Sequence, residues 1–140
     1  MKVPAIPYLL LAEDDPDDRE MIEEGFLRRN PGASIYHLED GQQVLEWLEQ
    51  CPPAGLPAIL LLDYKMPIIT GAQILAALER DVRYKDIPKV VWSTSSNQSY
   101  MDECMRHGAL RYWVKPDDTR QMDEILSYLT GLFRARTGGN

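Results

Sequence analysis

The sequence predicts an α/β fold in which a parallel sheet is covered by helices on both faces, and three observations carry that prediction. Short apolar runs of four to six residues alternate with helix-period stretches along the whole chain. The runs at residues 8–12, 58–62, 90–92 and 112–114 are continuous rather than alternating, as suits strands buried on both sides. Each of these four runs also delivers a reactive side chain: Glu13 and Asp14 after the first, then Asp63, Ser93 and Lys115. The carboxyl ends of neighbouring parallel strands lie together, so these residues would share one crevice.

Element by element, the first strand falls near residues 8–12 and the first helix over 16–30. Asp15 before Pro16 pairs an N-cap side chain with a proline at the first helical position, and Asn30-Pro31-Gly32 stops the helix. A second strand is expected near 34–38, followed by a helix over 41–50 whose stripe of Val44, Leu45, Trp47 and Leu48 reads as packing. Cys51-Pro52-Pro53-Ala54-Gly55-Leu56-Pro57 is rich in turn residues and reads as a loop before the third strand, 58–63. Helices over 71–80 and 98–107 flank a fourth strand at 89–93, and a fifth strand follows at 111–114. The last helix, 119–135, carries the clearest apolar stripe: Met122, Ile125, Leu126, Leu129, Leu132 and Phe133 recur at i, i+3, i+4, i+7 spacing.

The chain has 140 residues and reads as one domain with an ordinary globular composition. No repeat, low-complexity tract or linker interrupts it, and only Thr137-Gly138-Gly139-Asn140 follow Arg136, so a disordered tail over 137–140 and no effector domain are expected. With 22 acidic and 15 basic residues the formal net charge is -7, and the scattered basic residues argue against nucleic acid as a partner. No stretch approaches the ~20 apolar residues needed to cross a bilayer, and the N-terminal apolar run is too short for a signal peptide. Cys51 and Cys104 do not resemble a disulfide framework. A cytoplasmic protein without membrane contact is expected.

The chemistry of the crevice follows from its residue types. Hard divalent cations prefer carboxylate and carbonyl oxygens with several retained waters, and Glu13, Asp14 and Asp63 supply that incomplete shell. Without a cation, carboxylates about 4 Å apart repel by about 1 kcal/mol in water and by more at lower dielectric. A phosphoryl group placed on one carboxylate brings charge that a cation, an ammonium and a hydroxyl can jointly neutralise. Asp63, alone at the end of the central strand, is the natural acceptor, with Lys115 as fixed positive charge and Ser93 as hydrogen-bond donor.

At these residues the chain resembles the receiver domain of bacterial two-component response regulators of the stand-alone, CheY-like kind, over nearly all of its length. Leu11-Ala12-Glu13-Asp14-Asp15-Pro16 looks like the acidic-pair motif, Leu61-Leu62-Asp63-Tyr64-Lys65-Met66-Pro67 with Gly71 like the phosphoacceptor motif, and Trp113-Val114-Lys115-Pro116 like the lysine motif. The spacing fits, with 30 positions from Asp63 to Ser93 and 22 from Ser93 to Lys115. The segment Ile87-Pro88-Lys89-Val90-Val91-Trp92-Ser93-Thr94-Ser95 and the extended stretch Arg80 to Asp86 are similar to regulators that serve phytochrome-type kinases.

The resemblance implies a flavodoxin-like (βα)5 three-layer sandwich with a five-stranded sheet of order 2-1-3-4-5. It implies Mg2+ or Mn2+ held by Asp14, Asp63, the backbone carbonyl of Lys65 and, largely through water, Glu13. It implies Ser93 as switch hydroxyl and Tyr112 as the aromatic that reorients with it. The phosphoryl donor would be a sensor histidine kinase or phosphotransfer protein, and the output a downstream protein target or a homodimer through the face of helix 4, strand 5 and helix 5. Tyr100, Met101, Arg111 and Arg120 are candidate contacts there. The domain would catalyse its own phosphorylation and dephosphorylation without being an enzyme in the ordinary sense.

Three positions depart from the family pattern. Thr94 stands where a small residue is usual and would crowd the phosphoryl pocket; Ser93 keeps the donor of the commoner threonine but lacks its methyl; Lys65 lies where side chains govern water access. Lys65 reads either as a cover over the phosphoryl group that lengthens its lifetime or as a solvated lysine without kinetic effect. Asp15 reads as an N-cap rather than a metal ligand, and Asp17, Asp18, Glu20, Glu23 and Glu24 as a solvated helix face. His37 and His107 read as structural or surface residues, and Trp92 and Trp113 as packing.

Competing classes fail on single positions. A haloacid-type phosphatase needs an acid where Lys65 stands, and a dinucleotide-binding enzyme or a flavodoxin needs a glycine- or hydroxyl-rich loop where the chain has Glu13-Asp14-Asp15-Pro16. The remaining rival is a receiver-like binding module that never takes up phosphate. Five polar residues gathered at one rim argue against it.

Overall fold

The continuous apolar runs form the middle of the sheet. In the computed structural model, which describes residues 2–138, β1 (Tyr8–Ala12), β3 (Ile59–Asp63) and β4 (Lys89–Ser93) are buried throughout. β2 (Ser34–Leu38) and β5 (Arg111–Val114) form the edges, and all neighbours pair in parallel in the order β2-β1-β3-β4-β5. The edge strands differ from the expectation of burial on both faces: β2 is half-buried along its length, and Arg111 and Val114 are exposed.

Five helices alternate with the strands: α1 (Pro16–Arg29), α2 (Gly41–Gln50), α3 (Gly71–Glu79), α4 (Gln98–Arg106) and α5 (Thr119–Thr137). Most element bounds fall within a residue of the sequence expectation, and α5 runs two residues further. Two short 3-10 turns, Pro53–Gly55 and Val82–Tyr84, occupy segments read from the sequence as a loop and an extended stretch. Thr137 therefore belongs to α5 rather than to a tail, and Gly138 caps the helix at φ 68°, where glycine is favoured. Residues 139 and 140 of the expected tail lie outside the described residues.

The period of two along each strand divides the core. Leu9, Leu11, Ile59, Leu61, Val90 and Trp92 pack against α1 and α5, with Ile22, Phe26 and the α5 stripe. Leu10, Ala12, Leu60, Leu62 and Val91 pack against α2, α3 and α4, with Val44, Trp47, Leu48, Ile74, Leu75 and Cys104. Trp47 is a packing residue as expected: it stacks on Tyr36, and its indole N–H donates to the Tyr8 hydroxyl at 3.1 Å. Cys51 and Cys104 are free and buried. Asp15 is the N-cap of α1, its carboxylate accepting from the amides of Asp17 and Asp18.

The connection from β3 to α3 contains a sharp turn and a close return. Ile68 has φ 75°, an unusual value for a β-branched residue, in a three-residue turn closed by the Ile69 amide donating to the Pro67 carbonyl at 2.9 Å. The chain then returns so closely that a Cβ on Gly71 would lie 3.0 Å from the Asp63 carbonyl oxygen and 3.1 Å from the Tyr64 Cα. At an ordinary helix position glycine to alanine stabilises by about 0.5–1 kcal/mol. Gly71→Ala is expected to do the reverse and cost about 1–2 kcal/mol by overpacking, read as a lower urea midpoint with an unchanged m-value.

Candidate functional site

The same alternation that divides the core aims the polar residues that follow it. Glu13, Asp63 and Lys115 continue the register of Leu11, Leu61 and Trp113, so their side chains lie on the α1/α5 face of the rim. Ser93 and Tyr112 continue the opposite register, toward α4. Backbone bonds fix the rim in place: the Glu13 amide donates to the Leu38 carbonyl at 3.1 Å, Tyr64 to Trp92 at 3.1 Å, and Lys115 to Ser93 at 2.7 Å.

The acids converge as expected. Glu13, Asp14 and Asp63 each offer a carboxylate oxygen, and these atoms all lie within 4.8 Å of one another. Glu13 and Asp63 are buried and Asp14 is exposed at the mouth. Lys115, its side chain only 8% exposed, places Nζ 3.0 Å from Asp63 Oδ2 and 3.0 Å from Glu13 Oε1. The contact with Asp63 is a hydrogen bond and that with the buried Glu13 Oε1 an ion pair. The other Asp63 oxygen accepts from the Lys65 amide at 3.1 Å, and Glu13 Oε2 accepts from the Asp15 amide at 3.0 Å. His37, on the neighbouring edge strand, donates from Nε2 to the Glu13 carbonyl at 2.6 Å and so steadies the backbone of the acidic pair.

One ligand of Lys115 was not foreseen. Asp18, placed by the sequence on a solvated helix face, accepts a hydrogen bond from Nζ at 2.7 Å and is 21% exposed. Its position explains the contact: it is the third residue of α1, and side chains in a helix lean toward its N-terminus, here over the β1–α1 loop. The register that puts Lys115 on the α1 face was the available signal.

Ser93 and Tyr112 sit at the same rim but bond to the loop after β4. The buried Ser93 Oγ accepts from the Ser95 amide at 3.1 Å, and the half-buried Tyr112 hydroxyl donates to the Ser95 carbonyl at 2.8 Å. Thr94 is exposed. Lys65 is exposed too, and its amide donates into the site. Of the expected surface contacts, Arg111 and Arg120 are exposed, whereas Tyr100 and Met101 are half-buried. Tyr100 is not free: its ring stacks on Tyr64 with centroids 4.3 Å apart, and the Tyr64 hydroxyl donates to Glu103 at 3.0 Å.

Charge is uneven in this crevice. Burial, and then the neighbouring Asp63 charge, push the Glu13 carboxyl up to about 7 against the pull of the Asp15 amide and Lys115. For Lys115 burial works the other way, but hydrogen bonds to Asp18 and Asp63 outweigh it and hold the ammonium above the usual lysine range. Its Nζ also lies 4.8 Å from the Trp92 ring centre.

A five-stranded parallel sheet with a polar crevice beyond the strand ends, where the order turns from β1 to β3, defines the doubly wound class with its site at the switch point. Within that class the chain belongs to the family of the response regulator receiver domain, whose model matches residues 9–127. It is similar to the probable methanogenesis regulatory protein FilR2 of Methanothrix harundinacea (strain 6Ac), 30% identical over 133 residues that span 91% of this chain and 86% of that one. The phosphorylated cyanobacterial phytochrome response regulator RcpA has the same fold, with a TM-score of 0.80 and 26% identity over 93% of each chain. A response regulator in red light signalling of R. palustris gives 0.74 and 27% over 92% of each. The two light-signalling proteins agree with the likeness seen around β4. No helix among the described residues is long and apolar enough to cross a membrane.

The raised Glu13 pKa sets a pH dependence. Because the folded state holds this proton more tightly than the unfolded chain, its stabilising contribution is present below about pH 4.5 and is lost as pH rises through about 7. The ion-free protein is expected to lose on the order of 2 kcal/mol between pH 5 and 8 from this group, seen as a falling melting temperature. Glu13→Gln should flatten that slope.

Proposed function

We propose that this receiver accepts a phosphoryl group on Asp63 from the phosphohistidine of a sensor histidine kinase or phosphotransfer protein, in a step that needs Mg2+ or Mn2+. The observation that carries this reading is the approach of three carboxylates to one another, with two of them, Glu13 and Asp63, 3.0 Å from a single ammonium. The donor set suits a hard cation: it is made of carboxylate oxygens, and the carboxylates outnumber the single ammonium beside them. Asp14, Asp63 and the Lys65 carbonyl would hold the ion, with Glu13 acting largely through water. When bound, the cation supplies positive charge against the phosphoryl oxygens.

The chain's own residues do the rest. Asp63 attacks phosphorus as the P–N bond to the donor imidazole breaks, the electron pair leaving with that ring. Lys115, held at 3.0 Å from Asp63, keeps a fixed positive charge beside the acceptor. Ser93 Oγ already accepts from the Ser95 amide, so its own proton is left to donate to a phosphoryl oxygen. Drawing Ser93 toward the acceptor pulls the loop whose Ser95 carbonyl is bonded to Tyr112, and the α4–β5–α5 surface changes with it. The phosphoryl group thereby biases two populations of that surface, which carries Arg111 and Arg120 and serves a downstream protein or a second copy of the chain. The likeness to RcpA and to the R. palustris protein supports a phytochrome-type kinase as donor.

Incubation with acetyl phosphate and Mg2+ should add one phosphoryl group to the wild-type mass and none to Asp63→Asn. A wild-type protein that gains nothing is a binding module instead. Lys65 makes no side-chain hydrogen bond or ion pair among the described residues and is free to reach over the acceptor. Lys65→Ala is expected to shorten the phospho-Asp63 lifetime by about threefold, the scale of an exposed charge contact. Equal lifetimes in a hydrolysis time course would assign Lys65 to solvent.

A further inference from the structure

Asp18 contacts the site only through Lys115. It is not among the acids whose oxygens lie together at the cation cluster, yet its bond to Nζ, 2.7 Å, is shorter than the bond from Nζ to Asp63, 3.0 Å. It is also held in place: the amides of Asp17 and Asp18 both donate to the Asp15 cap, which fixes the first turn of α1 over the crevice. With Glu13 Oε1 also 3.0 Å from Nζ, one ammonium is shared by carboxylates from three elements of the fold.

We propose that Asp18 is a positioning residue that restrains phosphoryl transfer, by drawing the Lys115 ammonium toward α1 and by adding negative charge beside the approaching donor. The inference rests on the reading of Asp63 as acceptor and assigns that reaction a brake. In the transfer from acetyl phosphate, an Asp63 oxygen forms the new O–P bond while the P–O bond to the acetyl group breaks. The electron pair leaves with acetate, and no proton or redox change is required. Negative charge on the phosphoryl oxygens calls for a donor from Lys115, and its three N–H groups already face Asp18 at 2.7 Å, Asp63 at 3.0 Å and Glu13 at 3.0 Å, so one has to leave a carboxylate first. A hydrogen bond between charged groups is worth enough to slow the step measurably. The Asp18 charge adds repulsion toward an anionic donor.

The test compares wild type, Asp18→Asn and Asp18→Glu. Phospho-Asp63 formation is followed by mass against acetyl phosphate concentration at fixed Mg2+, and Mg2+ affinity is followed separately by Trp fluorescence. Asp18→Asn keeps the size of the side chain and removes its charge, and should raise the phosphorylation rate by about fivefold, the effect expected when one charge-assisted contact is relaxed. Asp18→Glu should return the slow rate, and Mg2+ affinity in Asp18→Asn should fall by no more than about fivefold, the effect of one partly screened charge, because Asp18 is not one of the cation ligands. Wild-type phosphorylation with Asp18→Asn equal or slower overturns the restraint and leaves the acceptor reading intact. A fall in Mg2+ affinity of about a hundredfold in Asp18→Asn overturns it by placing Asp18 in the cation shell. A wild-type protein that takes no phosphoryl group overturns both.

Discussion

The structure turns on the balance between Lys115 and the carboxylates around it. An ammonium with 8% of its side chain exposed could not remain charged in an apolar rim by itself, and neither could the fully buried Glu13 or the nearly buried Asp63. Each makes the other tolerable. The balance is incomplete, because the cluster of Glu13, Asp14 and Asp63, with Asp18 beside it, holds one lysine, and burial together with the Asp63 charge leaves the Glu13 pKa raised. A site that served only stability would have been paired off or made apolar. One short of a cation suits a site that must admit a cation and a charged group in turn.

The sheet keeps two tasks apart at one rim. On the α1/α5 face, Glu13, Asp63 and Lys115 hold the charge; on the α4 face, Ser93, Tyr112 and Tyr64 hold the bonds to the elements that can move. Neighbouring residues on one strand serve opposite faces: Asp63 and Tyr64 follow each other in sequence, one bonded to Lys115 and the other to Glu103 of α4. The alternation of side chains therefore puts the two faces of the sheet one residue apart at this rim.

Much of this was legible in the sequence because the strong signals are local. Continuous apolar runs marked β1, β3 and β4, Asp15-Pro16 marked the start of α1, and the polar residue after each run marked the rim. What escaped depends on partners far along the chain. The edge strands read like the inner ones because β5 carries Tyr112, Trp113 and Val114, and only the pairing order shows that one side of it is open. Asp18 was hidden among the acids of α1, where composition favours a solvated face and only the register of Lys115 distinguishes one from the rest. Tyr100 looked like a surface contact because the sequence does not show that the Tyr64 ring rises to meet it.

The element tied to the far side is also the one least anchored by apolar burial. α5 buries Met122, Ile125, Leu126, Leu129, Thr130 and Phe133, whereas Cys104 is the one buried residue of α4. In place of a core face, α4 is held by directional contacts: the Tyr64–Tyr100 stack, the Tyr64–Glu103 bond, and the His107–Glu79 pair to α3 at 2.6 Å. Contacts of that kind are worth of the order of 1 kcal/mol each and can be exchanged without opening the core. Elements that move are drawn from the weakly held part of a fold, and here that part is bonded directly to Tyr64, the residue after Asp63. A perturbation at Asp63 has a short route to α4, and α4 has little to hold it back.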